Sequence, residues 1–210
     1  MVSAKKGDLV RMEYTGKVAA TGMVFDTTDE SIAKKSGIWE QSTVYGPKLA
    51  VFGSKTIIPG IEEAILSSQL GKSAEFTIGA DKAFGEKIPS LIRMMPEREF
   101  AKQGVRPVMG MVLALDGMPA MVKSITSGRV VVDFNHPLSG ESVHYTLKVT
   151  EVISDEKKKL EALLAAAGVK GAVSEKGGKL EISIEKPVDK GKLEQAKRLI
   201  AAIVPGTAFA

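Results

Sequence analysis

Between Leu9 and Tyr14 the side chains alternate, with Val10, Met12 and Tyr14 on one face and Leu9, Arg11 and Glu13 on the other. A period of two predicts a strand with one buried face, set in a β-rich stretch over residues 8–28. Gly16 and the Ala20-Thr21-Gly22 stretch supply turn chemistry before a second run, Met23-Val24-Phe25. Residues 29–43 are polar and small and predict a loop. Pro59 opens a helix, because proline lacks the N–H that a first helical turn leaves unpaired. Glu62 and Glu63 follow where the helix dipole favours negative charge. Ile61, Ile65 and Leu66 form its apolar stripe, and Gly71 stops it. Phe76 and Ile78 then alternate as a further strand.

From Lys87 to about Val131 the pattern breaks. Six of the nine methionines fall there, and prolines and glycines divide the stretch into short strands rather than helices. The period of two returns only at Tyr145-Thr146-Leu147-Lys148-Val149. Residues 87–131 therefore read as a small domain inserted into a host formed by 1–86 and 132–153. Beyond the host, Leu160, Leu163, Leu164 and Ala167 follow helical spacing, and Gly168 ends that helix. Gly177-Gly178 signals a hairpin between Ala172-Val173 and the alternating Leu180, Ile182 and Ile184. Leu193, Ala196, Ile200 and Ile203 make a second helical stripe, so 154–210 predicts an α-β-β-α module.

Composition narrows the class. At 44% hydrophobic and 26% charged the chain is globular, and an aromatic share of 5% makes its cores lean on aliphatics and methionine. A net charge of +4 is too weak a bias to argue nucleic-acid binding by itself. The absence of cysteine excludes disulfides and thiol nucleophiles. No stretch approaches the ~20 apolar residues of a membrane span, and MVSAKKGDLV holds no apolar run of a signal peptide. The expected compartment is the cytoplasm.

Several chemistries find no support. With His136 and His144 the only histidines and no cysteine, no metal is expected, and His136 is read as bracing its loop. Ser139 or Ser142 beside a histidine would need an oxyanion hole that nothing suggests. Neither Gly46-Pro47-Lys48 nor Gly177-Gly178 has phosphate-loop spacing. Residues 154–210 carry ten lysines and Arg198 against eight acidic residues. No aromatic platform accompanies Lys157, Lys158, Lys159, Lys190, Lys192 and Lys197, which read as solvated helix faces rather than a nucleic-acid groove.

One ordered set of segments points further: Tyr14-Thr15-Gly16, Val24-Phe25-Asp26, Ile57-Ile58-Pro59-Gly60-Ile61-Glu62, Ala83-Phe84-Gly85, Asn135-His136-Pro137-Leu138-Ser139-Gly140 and Tyr145. Together they resemble the FKBP family, whose pattern is YTG, FDxS/T, a VIxGxE-type helix start and AYG. The match spans 8–86 and 132–153. The insert falls just after Ala83-Phe84-Gly85, where SlyD-type members carry an insert-in-flap chaperone domain, and the Asn-His-x-Leu-x-Gly segment is also similar to SlyD. The C-terminal module is similar to that of long-chain archaeal members.

The resemblance implies an α+β fold, with an FKBP-type antiparallel sheet wrapped around a short helix, a small β-rich insert and a C-terminal α/β module. It implies a peptidyl-prolyl cis/trans isomerase that is also a folding chaperone and needs no cofactor. Tyr14, Phe25 and Tyr145 would line the proline pocket, Ile57 and Ile58 one side and Ile61 the floor. The Ile58 N–H would hold a substrate carbonyl, Asp26 would orient polar groups at the edge, and Leu138 would come from the returning loop. Phe84 replaces the tyrosine of AYG and removes a hydroxyl donor, so weak macrolide binding with isomerase activity kept is expected. Methionine adapts to differently shaped apolar partners. Leu91, Ile92, Met94, Met95, Phe100, Val108, Met109, Met111, Val112, Met118 and Met121 are thus expected to form a client surface, the alternative being an irregular methionine-filled core. The partners implied are unfolded or partly folded polypeptides with X–Pro bonds, and a second copy of the chain through the C-terminal module.

Overall fold

The structure, a computed structural model, describes residues 1–54, 56–102, 104–176, 179–185 and 187–209. In chain order its elements are β1 (Leu9–Val18), β2 (Val24–Thr27), α1 (Glu30–Lys35), β3 (Lys48–Val51), α2 (Pro59–Ser67) and β4 (Ser73–Ile78). Next come β5 (Ile92–Pro96), α3 (Glu97–Lys102), β6 (Val112–Leu115), β7 (Met118–Thr126) and β8 (Arg129–Asp133). The chain ends with β9 (Val143–Ile153), α4 (Glu156–Ala166), β10 (Gly171–Lys176), β11 (Lys179–Ile184), α5 (Lys190–Ile203) and β12 (Ala208–Phe209). It divides into two compact units, Met1–Ile78 with Val143–Ala210, and Gly79–Ser142. Among the described residues no helix is long and apolar enough to cross a membrane.

The first unit is built on an antiparallel sheet in the order β2-β1-β9-β4. β3 shares the β2 edge, pairing with residues 9–12 of β1 while β2 pairs with 15–17. Along β9, Val143, Tyr145, Leu147 and Val149 are buried while His144, Thr146, Lys148 and Thr150 are not, the alternation that a half-covered sheet imposes. α2 starts at Pro59 and buries Gly60, Ile61, Ala64 and Ile65. It ends at Ser67, before Gly71, because the Ser68 hydroxyl donates to the Ala64 carbonyl at 2.7 Å and its N–H to Ile65. Gly60 is there for contact: a Cβ at that position would lie 2.2 Å from Ile78 Cγ2, so glycine lets the helix meet β4.

Two expectations fail in this unit. Gly16 lies inside β1 and not in a turn. Residues 29–43 contain α1, whose N-terminus Asp29 caps by accepting from the Ser31 and Ile32 N–H groups. Glu30 in the first turn and Lys34 and Lys35 in the last complement the dipole.

The C-terminal segment has the expected α-β-β-α order, with β12 added parallel to β11. The turn assigned to Gly177-Gly178 lies outside the described residues. Leu160, Leu163, Leu164, Val173, Ile182, Ala196 and Ile200 form one buried cluster with Leu9 of β1 and Ile153 of β9. Lys159 is not solvated as expected. It is 9% exposed and its ammonium lies 3.1 Å from Asp8 Oδ1. Asp8 also accepts from the Lys5 N–H and the Ser154 hydroxyl, both at 2.9 Å. Burial raises the Asp8 pKa, and these bonds together with the Lys159 charge outweigh it, so the carboxyl titrates below its ordinary value.

The second unit is an antiparallel sheet in the order β5-β8-β7-β6. Phe100, Leu115, Ala120, Val122, Val130 and Val132 form its core, with Met95, Val105, Leu113 and Phe134 packed against it. The stretch 87–131 is not strands alone, since α3 carries Phe100 into that core.

Candidate active site

The site residues of the first unit are assembled by strand register. Gly16 stands opposite Asp26 on β2 and opposite Tyr145 on β9. Side chains two apart share a face, so Tyr14, Gly16 and the ring of Tyr145 fall on one side of the sheet. A Cβ on Gly16 would lie 2.7 Å from Phe25 Cζ and 2.9 Å from Tyr145 Cε1 and Cζ. Two rings thus close over a backbone with no side chain. The Tyr145 ring sits 5.9 Å from that of Tyr14 at an angle of 56°, and 5.8 Å from that of Phe25 edge-on at 81°. Both separations lie within the attractive range for tilted aromatic pairs.

The Tyr14 hydroxyl donates to Asp26 Oδ2 at 2.8 Å. Burial pushes both tyrosine hydroxyls well above their ordinary pKa, and the Asp26 charge adds to it. Tyr14 thus stays protonated and remains a donor. Its backbone is fixed as firmly: its N–H donates to Thr28 Oγ1 at 2.9 Å, and its carbonyl accepts from the Thr28 N–H at 2.9 Å and the Thr27 hydroxyl at 3.2 Å. A buried Thr15–Thr27 hydroxyl contact of 2.8 Å locks β1 to β2 beneath the rings. Asp26 is exposed, and Phe25 and Tyr14 are half-buried.

Ile58 is the extended N-cap of α2, and its carbonyl accepts from the Ile61 N–H at 3.0 Å. Ile57 and Ile58 are half-buried, and Ile61 is 4% exposed. The arrangement of aromatic rings with one oriented donor–acceptor pair suits shape-selective binding of a small apolar group.

Phe84 and Leu138 belong to the second unit. There Phe84 stacks on the imidazole of His136, with centroids 4.8 Å apart and planes within 1°. The Leu138 N–H donates to His136 Nδ1 at 3.1 Å. The Ser139 hydroxyl donates to the Phe84 carbonyl at 3.2 Å, and the Gly140 N–H to Gly85 at 2.8 Å. Asn135 grips Ile88 on both sides, its Oδ1 accepting the Ile88 N–H at 2.9 Å and its Nδ2 donating to the carbonyl at 3.1 Å. The expected bracing role of His136 thus has a geometric form.

Of the expected client surface, Ile92, Met94, Val108, Met109, Met111, Val112 and Met118 are exposed, Met109 at 73%. Leu91 and Met121 are half-buried, and Met95 packs against the unit's core. Phe100 is a correction: at 3% exposed it closes that core and presents nothing to a client. Sequence reasoning had no place for two features near the rings. One is the closeness of Gly16 to them, for which a lone glycine gives no signal. The other is the folded loop after α1, signalled by Asp29 followed by Lys34 and Lys35.

A family model described as FKBP-type peptidyl-prolyl cis-trans isomerase matches residues 2–107, and another described as FKBP26, IF domain matches residues 93–138. A short-type peptidyl-prolyl cis-trans isomerase of Methanocaldococcus jannaschii is 34% identical over 148 residues, covering 70% of this chain and 93% of the relative. The FKBP-type 16 kDa peptidyl-prolyl cis-trans isomerase of Escherichia coli is 35% identical over 123 residues, covering 55% and 82%. SlyD of Treponema pallidum is 29% identical over 167 residues, covering 78% and 86%.

Proposed function

Since the chain belongs to the family of FKBP-type peptidyl-prolyl cis-trans isomerases, we propose that the rings of Tyr14, Phe25 and Tyr145 form the pocket in which it rotates X–Pro bonds. The observation that carries this reading is the closure of Phe25 and Tyr145 over Gly16, with Tyr14 held on Asp26. Amide resonance opposes rotation with a barrier of ~20 kcal/mol. No covalent step is needed. An apolar pocket excludes the water that stabilises the planar, charge-separated amide and binds the twisted conformer better than either planar one. Ile57 and Ile58 supply aliphatic surface, Ile61, buried in α2, the packing of the floor, the Ile58 N–H a donor for the substrate carbonyl, and Asp26 the orientation of polar groups.

A protease-coupled assay on X–Pro tetrapeptides tests this. Asp26→Ala and Tyr145→Ala are expected to lower kcat/KM on the order of tenfold, the equivalent of one lost hydrogen bond or ring contact, with native circular dichroism. A wild-type chain inactive on every tetrapeptide would shift the reading to a chaperone or adaptor. Because Phe84 brings no hydroxyl, macrolides bind weakly, and nanomolar affinity in a calorimetric titration would contradict this.

The exposed methionines support a second role, client capture by the insert. Ile92, Met94, Val108, Met109, Met111 and Met118 offer apolar, adaptable surface to unfolded polypeptide. A client held there meets the isomerase pocket at the high effective concentration that a covalent tether provides. The setting we propose is the cytoplasm, and the C-terminal module is the surface through which two chains pair.

A further inference from the structure

The loop between α1 and β3 is folded on itself. Gly37 takes a left-handed φ of 71°, and the Ile38 N–H then donates to the Ala33 carbonyl at 3.1 Å, which turns the chain back onto α1. The Trp39 indole N–H donates to Glu30 Oε1 at 3.2 Å. Lys34, paired with Glu30 at 2.7 Å, holds its ammonium 5.4 Å from the indole centroid. At the far end, the Glu40 N–H donates to the Tyr45 hydroxyl at 3.1 Å, and the Gly46 N–H donates to the Thr28 carbonyl at 2.8 Å.

Between this loop and β2 lies a cavity of about 500 Å³ whose walls include Phe25, Asp26, Trp39, Glu40 and Tyr45. Two of those walls are shared. Phe25 packs edge-on against Tyr145, and Asp26 accepts from Tyr14, so the cavity adjoins the ring pocket through one residue layer. Its character is different. Asp26 and Glu40 bring two carboxylates, Trp39 and Tyr45 bring aromatic surface, and none of the described residues lining it is basic. Trp39 remains 42% exposed although its N–H and one ring face are engaged by α1. Indole faces attract cations, and nearby carboxylates add to that attraction.

We propose that this cavity is a specificity subsite for a cationic side chain, lysine or arginine, on a residue flanking the proline of the bound polypeptide. Trp39 and Tyr45 are its aromatic walls, and Asp26 and Glu40 supply its charge. The proposal rests on the proline-pocket reading above and names the substrate class that reading leaves open.

The test uses the full chain, in which Trp39 is the only tryptophan, so indole fluorescence reports on the cavity without any catalytic readout. Proline tetrapeptides carrying arginine, lysine or leucine, before or after the proline, are titrated and assayed for isomerisation. The expected result is a saturable emission change with the cationic peptides at concentrations where the leucine peptides give none. The cationic-to-leucine ratio of kcat/KM is expected to fall about threefold in Trp39→Ala, the size of an exposed cation–π contact, and in Glu40→Gln. Trp39→Phe is expected to keep most of the ratio. Glu40→Gln leaves the indole in place and serves if Trp39→Ala does not fold. An indole response that does not distinguish the peptides, or a ratio unmoved in Glu40→Gln, overturns the subsite alone. Failure of the wild type to isomerise either peptide set removes the pocket reading and the subsite with it.

Discussion

At position 16 a hydrogen occupies the only space left by two rings. Gly16→Ala puts a carbon 2.7 Å from Phe25 Cζ, and neither Phe25 nor Tyr145 can retreat without losing the other's edge contact. Overpacking of this kind costs about 1–3 kcal/mol, so denaturant titration is expected to show that loss together with a fall in X–Pro isomerisation. Gly60→Ala is expected to be at least as costly, since its Cβ would lie 2.2 Å from Ile78 Cγ2, and Ile78→Ala in the same chain should restore part of it. Tyr14, Phe25, Asp26 and Tyr145, whose side chains the structure brings together, stand out in the sequence because each lies within an ordered series of segments, where its type and its place in the order count together. The packing glycines were not legible. Gly16 looks like a turn residue in one dimension, and only the register of β1 against β9 shows that its missing Cβ makes room for Tyr145.

Elements were legible where their period was strong and hidden where capping chemistry decided. β1, α2, β4 and β9 follow their apolar patterns, except that Leu66, expected in the α2 stripe, is 41% exposed while Ala64 takes the buried face. By contrast, α1 and α3 are only six residues each and bury one residue apiece, Ala33 and Phe100. A stripe of one cannot be read as a period, and for α1 the signal was the Asp29 cap with basic residues at the other end. α4 shows what charge alone conceals, because Lys159 in a basic run is buried against Asp8. The folded Asp8 carboxyl titrates below its ordinary value, so its stabilisation is full above the unfolded pKa near ~4 and is lost as pH falls through the lower folded value. Unfolding free energy measured from pH 6 downward is expected to fall more steeply for wild type than for an Asp8→Asn, Lys159→Met double variant. Lys159→Met alone, which leaves a buried carboxylate without its cation, is expected to cost about 3 kcal/mol at pH 7.

At the scale of the whole chain, composition marked the insert at 87 and 131, while the compact unit runs from Gly79 to Ser142. The difference comes from bonds that composition cannot show: Asn135 gripping Ile88, Ser139 bonded to Phe84, and Gly140 bonded to Gly85. Likewise the C-terminal helices share a core with Leu9 and Ile153, so the shift in pattern at 154 is not a break in packing. Replacing Met94, Met109 and Met118 by glutamine is expected to lower the rate of catalysed refolding of a proline-limited protein relative to the tetrapeptide rate, and an unchanged ratio would count against client capture. The pairing of β4 with β9 has a kinetic corollary. Ile78 and Val143, the residues at which the chain leaves and re-enters the first unit, are strand partners. With the insert unfolded, that pair closes a long loop, whose entropic cost grows with its length. Once folded, the insert holds its own ends together through Gly140 and Gly85, and the same pair closes as across a short hairpin. Folding of the insert should therefore come first and set the tempo for the sheet, so that Val132→Ala, which weakens only the insert's core, slows the appearance of the β4–β9 ladder in pulsed hydrogen exchange.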